Sequence, residues 1–236
     1  MQTVTAVAHR GDPYRFRENT TDSLRSALLQ GADAVEIDVR LTRDDVPVLL
    51  HDETLKRLWG HDRRLRSLSA DEVRRLTRGG VPTLAEALAA TDGSRVMVDL
   101  PVRLDRRTAG AVLDVVRQCG ARDRVYYCAG AEAMLAVRAA DPSAEIALTW
   151  TSLAPPRPAV LDAVRPRWLN YRFALVDQAL AARVHHGGHL LSVWTPDTRR
   201  TMRRLLDLGV DSITTNRIDA LCTLRQGEGA QGRRAP

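Results

Sequence analysis

The feature that most constrains this chain is an alternation of eight short apolar segments with stretches of helical character. The segments lie at 4–9 (VTAVAH), 34–39 (AVEIDV), 95–100 (RVMVDL), 124–128 (RVYYC), 145–150 (EIALTW), 167–171 (RWLNY), 189–194 (HLLSVW) and 211–215 (DSITT). Helical patterns fall near 21–30, 69–78, 83–91, 105–119, 130–140, 158–164, 176–187, 197–208 and 217–225. Thr83-Leu84-Ala85-Glu86 has the form of a capping box. Gly31, Gly120 and Gly209 stand where helices should end. Strands that alternate with helices are joined in parallel, and eight such units close into an α/β fold of the (β/α)8 (TIM) barrel type. A single barrel is expected over 1–225, followed by a flexible tail, QGEGAQGRRAP, over 226–236.

One segment breaks the alternation. VPVLLHD, residues 46–52, follows the second strand across only Thr42-Arg43-Asp44-Asp45. So short a connection predicts an antiparallel hairpin rather than another stave. His51 is then carried back toward the barrel mouth on an excursion.

Composition removes several classes of function. An apolar fraction of 44% suffices for a sizeable core, yet no run reaches the roughly 18 apolar residues of a membrane span. MQTVTAVAHRG has no basic n-region or apolar h-region, so a cytoplasmic protein without stable membrane insertion is expected. Cys119, Cys128 and Cys222 are odd in number and far apart, which fits small apolar residues rather than disulfides or zinc. The net charge is +6, but Lys56 is the only lysine and the arginines are scattered with few aromatics between them. That pattern argues against nucleic acid and leaves anionic small molecules as partners. Nothing in the pattern specifies an oligomer.

Side chains alternate along a strand, so Glu36 and Asp38 share one face of AVEIDV while Val35, Ile37 and Val39 share the other. The apolar face suits the surrounding helices, which turns both carboxylates into the barrel. Two acids there repel unless a cation lies between them, and an all-oxygen set suits Mg²⁺ or Ca²⁺. Pairing with Arg10 or Arg40 is the structural alternative. His9 and Asp99 close the first and third strands at the end where barrels of this kind carry their sites. His9 and His51 are each followed by a charged residue near that mouth, and two imidazoles can divide general base and general acid roles. His61, His185, His186 and His189 are expected to be structural.

These residues carry a resemblance. HRG, then ENT, then GADAVEIDVRLTRDDVPVLLHDETLKR resembles the glycerophosphodiester phosphodiesterase family, and VPTLAEAL, SVWT and LGVDSITTN follow in the same order. The likeness runs from Ala8 to about Leu224. It implies a metal-dependent barrel hydrolysing glycerophosphodiesters to glycerol 3-phosphate and an alcohol. By matching position it implies His9 and His51 as the acid–base pair, Glu36 and Asp38 as metal ligands and Arg10 as a phosphate contact. Glu18 of ENT would orient Arg10 or a histidine. Trp194, ending the seventh strand, is a candidate wall against the glycerol.

The chain departs from the family pattern at the third strand, where Asp99-Leu100-Pro101 stands in place of Glu-x-Lys. Asp99 remains a candidate third metal ligand, as in the related sphingomyelinase D group, and Arg103 is the candidate replacement for the lysine. Arg17 precedes ENT in place of Pro, Cys128-Ala129 replaces Ser-Phe, Asp197 replaces an Asn, and Ile218 replaces a Pro. Two rival readings follow: a phospholipase D of the sphingomyelinase D type releasing a cyclic phosphate, and a catalytically weakened barrel that binds a phosphorylated metabolite.

Overall fold

All eight expected strands form and close on themselves. The computed structural model describes residues 4–101 and 106–231; Arg103 lies outside them. The staves are β1 (Thr5–His9), β2 (Ala34–Leu41), β4 (Arg95–Asp99), β5 (Val125–Ala129), β6 (Ile146–Trp150), β7 (Trp168–Arg172), β8 (Leu190–Trp194) and β9 (Ser212–Thr215). Each pairs in parallel with the next, and β9 returns to β1. The ninth strand, β3 (Pro47–Leu49), pairs antiparallel with β2, Val39 opposite Leu49 and Leu41 opposite Pro47. This is the expected hairpin, turning at Asp45 with φ 59°.

Alternation decides what each face buries. Val35, Ile37, Val39, Val96, Val98, Leu191, Val193 and Ile213 point outward into a core shared with the helices. Inside the barrel, Val7, Ala34, Met97, Tyr126, Cys128, Ala147 and Trp168 form a second, smaller core. Arg95 and Glu145 pair at 2.8 Å at the N-terminal end of the staves, where Trp168 Nε1 donates to Glu145 at 2.7 Å. That end is thereby plugged, and the accessible interior lies at the C-terminal end.

The excursion is larger than a hairpin. It also carries α2 (Lys56–Trp59) and α3 (Ala70–Thr77), and it encloses its own core of Val48, Leu50, Leu55, Leu65, Leu68, Val73 and Val81. The capping box at Thr83 starts α4 (Leu84–Ala90), and a second one, Ser69 with Glu72, starts α3. The remaining helices are α1 (Thr21–Leu29), α5 (Arg106–Gln118), α6 (Ala131–Ala140), α7 (Pro158–Val164), α8 (Gln178–His186), α9 (Arg199–Asp207) and α10 (Ile218–Gln231). The apolar pattern of α10 stops at Leu224, but the helix continues because each added residue gains a backbone hydrogen bond once a nucleus exists. Cys128 and Cys222 are buried as expected, whereas Cys119, just past α5, is exposed. Among the described residues no helix is long and apolar enough to cross a membrane.

Candidate active site

The register of the first three staves assembles the acidic group. His9 is opposite Glu36 on β2, and Asp38 is opposite Asp99 on β4. Oxygens of Glu36, Asp38 and Asp99 lie within 4.8 Å of one another. Burial, reinforced by repulsion from Asp38, pushes Asp99 up to about 7. Burial and the charges of Asp38 and Asp99 raise Glu36 well above the usual carboxylate range. Three carboxylates this close are costly when all are ionised, and a hard divalent cation relieves that cost, so the donor set fits one. The structural alternative is present too: Arg10 Nε stands 3.0 Å from Asp38 Oδ2. Arg40 does not join it; its Nε donates instead to the His51 carbonyl at 2.7 Å.

The HRG turn is held by its backbone. Arg10, at φ 59°, donates its N–H to Glu36 Oε2 at 3.0 Å. Gly11, at φ 87°, runs so close to α1 that a Cβ would lie 2.6 Å from the Ser23 carbonyl carbon. From ENT, Asn19 donates Nδ2–H to Asp38 Oδ2 at 2.7 Å and accepts the Asp38 N–H at 3.2 Å.

Both histidines have one ring nitrogen engaged. His9 Nδ1 meets Asn216 Oδ1 at 2.8 Å, while Asn216 Nδ2 donates to Asp197 Oδ2 at 2.8 Å. Because a carboxylate only accepts, Asn216 must turn its oxygen to His9, so Nδ1 carries the proton and Nε2 is the free base. Nε2 lies 3.9 Å from Glu36 Oε2. Burial and the neighbouring Arg10 charge lower the His9 pKa, which keeps the ring neutral near pH 7. His51, half-exposed, has Nδ1 2.8 Å from Asp52 Oδ1.

Arg57 on α2 ties the two sides of the mouth together. It donates to both oxygens of Glu18, at 3.0 and 2.6 Å, and to both oxygens of Asp52, at 2.6 and 3.2 Å. Glu18 also accepts from Arg10 at 2.9 Å. Hydrogen bonding from Arg57 holds Asp52 down at about 2. Burial works to raise Glu18, but the Arg57 and Arg10 bonds outweigh it and its pKa is lowered. An unbroken chain, Arg10–Glu18–Arg57–Asp52–His51, results.

A cavity of about 280 Å³ opens at the mouth, lined by His9, Arg10, Glu36, His51, Asp99, Cys128, Thr149, Asn170, Trp194 and Thr214 among others. Asp38 faces the adjoining space with Arg40, His51, Asp99 and Pro101. Of the sequence candidates, the structure thus gathers His9, Arg10, Glu36, Asp38, His51, Asp99 and Trp194, with Glu18 behind Arg10. The four other histidines bond elsewhere: His185 to Asp211, and His61, His186 and His189 to backbone carbonyls. Asn19, Asp52, Arg57, Asn216 and Asp197 are site residues that the sequence reading misses, although Asn19 and Asp52 each stand next to a candidate, Glu18 and His51, in the chain. Arg57 carries no local signal, because its partners lie 39 and 5 residues away.

The glycerophosphoryl diester phosphodiesterase family model matches residues 9–220. A probable glycerophosphodiester phosphodiesterase 2 of Mycobacterium tuberculosis is 30% identical, over 92% of this chain and 88% of that protein. A glycerophosphodiester phosphodiesterase of Caldanaerobacter subterraneus is 25% identical, over 92% and 96%. Among solved structures, an Oleispira antarctica phosphodiesterase in complex with the product sn-glycerol-3-phosphate superposes with a TM-score of 0.83, at 23% identity, over 93% of this chain and 95% of that one. The chain is a phosphoric diester hydrolase built on a (β/α)8 barrel. It belongs to the glycerophosphoryl diester phosphodiesterase family.

Proposed function

We propose that this protein hydrolyses glycerophosphodiesters to glycerol 3-phosphate and an alcohol, using a divalent cation, Mg²⁺ or Ca²⁺, and the pair His9 and His51. The observation that carries the reading is that both imidazoles, each with one nitrogen engaged, line one cavity with Glu36 and Asp99. Glu36, Asp38 and Asp99 would hold the cation, which when bound would polarise a non-bridging phosphate oxygen.

The remaining steps belong to the chain's own side chains. Arg10, already oriented by Glu18 and Asp38, offers hydrogen bonds to the phosphate. His9, kept neutral by burial and by Arg10, takes the proton of the attacking hydroxyl at Nε2. The nucleophile is the glycerol 2-hydroxyl, so a cyclic phosphate forms as the P–O bond to the leaving alcohol breaks. His51 donates the proton that the departing oxygen needs. Water then opens the ring with the two roles exchanged.

The test is an assay for glycerol 3-phosphate over several head groups, with and without Mg²⁺, Ca²⁺ and Mn²⁺. His9→Ala and His51→Ala should each lose on the order of 10²–10⁴ in rate. Near-wild-type turnover by both variants, or full activity in EDTA, overturns the mechanism. Asp at position 99 favours one second reading, a phospholipase D that stops at the cyclic phosphate. Accumulation of that product without glycerol 3-phosphate identifies it, and failure across the whole panel points to a binding barrel.

A further inference from the structure

A second cavity, of about 290 Å³, lies beside the catalytic one, between the excursion and the start of α5. None of the catalytic or metal-ligating candidates lines it. Arg40, Arg64 and Arg66 do, against a single carboxylate, Glu53, among the described residues. Leu41 and Leu65, 3% and 1% exposed, give it apolar walls. Arg40 follows Glu36 and Asp38 on the same face of β2, one step further along the strand. Both Arg40 and Pro101 also line the space that holds His51 and Asp99, so the two spaces meet at these residues.

These cations are short of counter-charge. Arg40 is half-buried, and its Nε donates to the His51 carbonyl at 2.7 Å. Among the described residues no carboxylate stands within 4 Å of it, and its two terminal nitrogens have no hydrogen-bond partner. Arg64 approaches Glu53 only to 3.7 Å, beyond hydrogen-bond range. Arg66 Nη1 donates to the Thr42 carbonyl at 2.9 Å and to Asp45 at 3.0 Å, and Asp45 is shared with Arg107. Positive charge is therefore in excess around the cavity. A cation partly withdrawn from water is costly without a partner, and the apolar walls strengthen its pull on one. The guanidinium fork matches the paired oxygens of a carboxylate or phosphate.

We propose that Arg40, Arg64 and Arg66 form a second oxyanion site, separate from the catalytic cavity, that takes a carboxylate or phosphate group. Arg40 couples it to the chemistry, because the guanidinium that receives the anion also holds the carbonyl of His51. Two sources supply such a group. One is an anionic substituent on the leaving alcohol, which departs on the His51 side and reaches the cavity past Arg40 and Pro101. The other is a free ion such as phosphate. The first source rests on the phosphodiesterase reading given above, and the second does not.

Two measurements separate the sources. Glycerophosphoserine and glycerophosphoethanolamine differ in one carboxylate, carried on the leaving alcohol. If the site serves the substrate, wild-type kcat/KM should favour the serine diester at least about fivefold, and Arg40→Gln and Arg64→Gln should each erase most of that preference. The Arg64 side chain is 78% exposed and its guanidinium has no partner closer than 3.7 Å among the described residues, so Arg64→Gln carries the test even if Arg40→Gln folds poorly. If the site serves a free ion, the serine preference should be absent. Phosphate titrated calorimetrically into the protein in EDTA should then bind at least about fivefold more weakly to both variants. Phosphate held by Arg10 in the catalytic cavity would not respond to Arg64→Gln. A serine preference that persists in both variants overturns the proposal. So does the absence of any preference together with a phosphate affinity that neither substitution weakens. If the substitutions weaken phosphate binding but no diester turns over, the anion site stands and the hydrolytic reading falls.

Discussion

Asn216 Oδ1 accepts from His9 Nδ1 at 2.8 Å, joining residues 207 positions apart in the chain. Asp197 fixes the amide from behind, holding both its side-chain nitrogen and its backbone N–H, the latter at 3.0 Å. The last two turns of the barrel mouth therefore set the tautomer of a side chain on the first strand. Asn216→Asp would place a carboxylate on Nδ1 and raise the His9 pKa. A base that must be neutral to act then stays protonated and inactive up to a higher pH, so the midpoint of the acidic limb of the kcat/KM profile should move upward. Asn216→Leu removes a hydrogen bond that raises the pKa and also frees the ring. It should lower kcat, by less than the roughly 10²–10⁴ lost with the imidazole itself. A profile that keeps its acidic limb in both variants would remove His9 as the base.

The carboxylate group should make the metal-free protein sensitive to pH in an unusual direction. Asp99, at about 7, and Glu36 both retain protons in the folded state at pH values where the unfolded chain has released them. The native state then binds more protons, so stability falls as pH rises from about 4 to about 7. Melting temperature in EDTA should decline across that interval. Adding Mg²⁺ or Ca²⁺ near pH 7.5 should restore it by mass action, and Asp38→Asn should blunt the response. A pH-independent melt with no response to either ion would exclude the three carboxylates as a cation site.

Gly11 offers a test of the scaffold rather than the chemistry. Gly11→Ala would need a left-handed backbone at φ 87° and would press its methyl against the backbone of Ser23. Strain and overlap together should cost about 2–4 kcal/mol, seen as a lower denaturation midpoint. The neighbouring His9 and Arg10 would shift with it, so activity should fall as well. An unchanged midpoint would show that α1 moves aside freely.

What the sequence made legible follows from how each feature is encoded. The staves were visible because their outward faces are apolar at every second residue, and the β2–β3 hairpin because four residues cannot hold a crossover. Glu36, Asp38, His9 and Asp99 could be placed since strand ends and alternation are local. The separate core beneath the excursion was not legible: Leu55, Leu65 and Leu68 have no period and are united only by the chain folding over them. The supporting residues were hidden for a similar reason. Asn216 and Arg57 matter through partners, His9 and Glu18, that only the closed barrel and α2 bring near.

Arg57 is the sharpest case of such hidden support. Its guanidinium donates to both oxygens of Glu18 and of Asp52, and through them it touches Arg10 and His51. Its side chain is 46% exposed, so the ion pairs themselves should add little to stability. Their effect should be on orientation. In Arg57→Met, Asp52 and Glu18 each lose two hydrogen bonds, and both His51 and Arg10 gain freedom. We expect kcat/KM to fall about tenfold to hundredfold, on the scale of removing a charge-assisted bond that positions a reacting group, with a melting temperature within a few degrees of wild type. Arg57→Lys keeps the charge but lacks the fork that spans two carboxylates, so it should recover only part of the loss. A second change at Asp52 in the Arg57→Met background should cost much less than it does alone, because both act through His51. Full additivity in that cycle would mean that Arg57 does not act through Asp52.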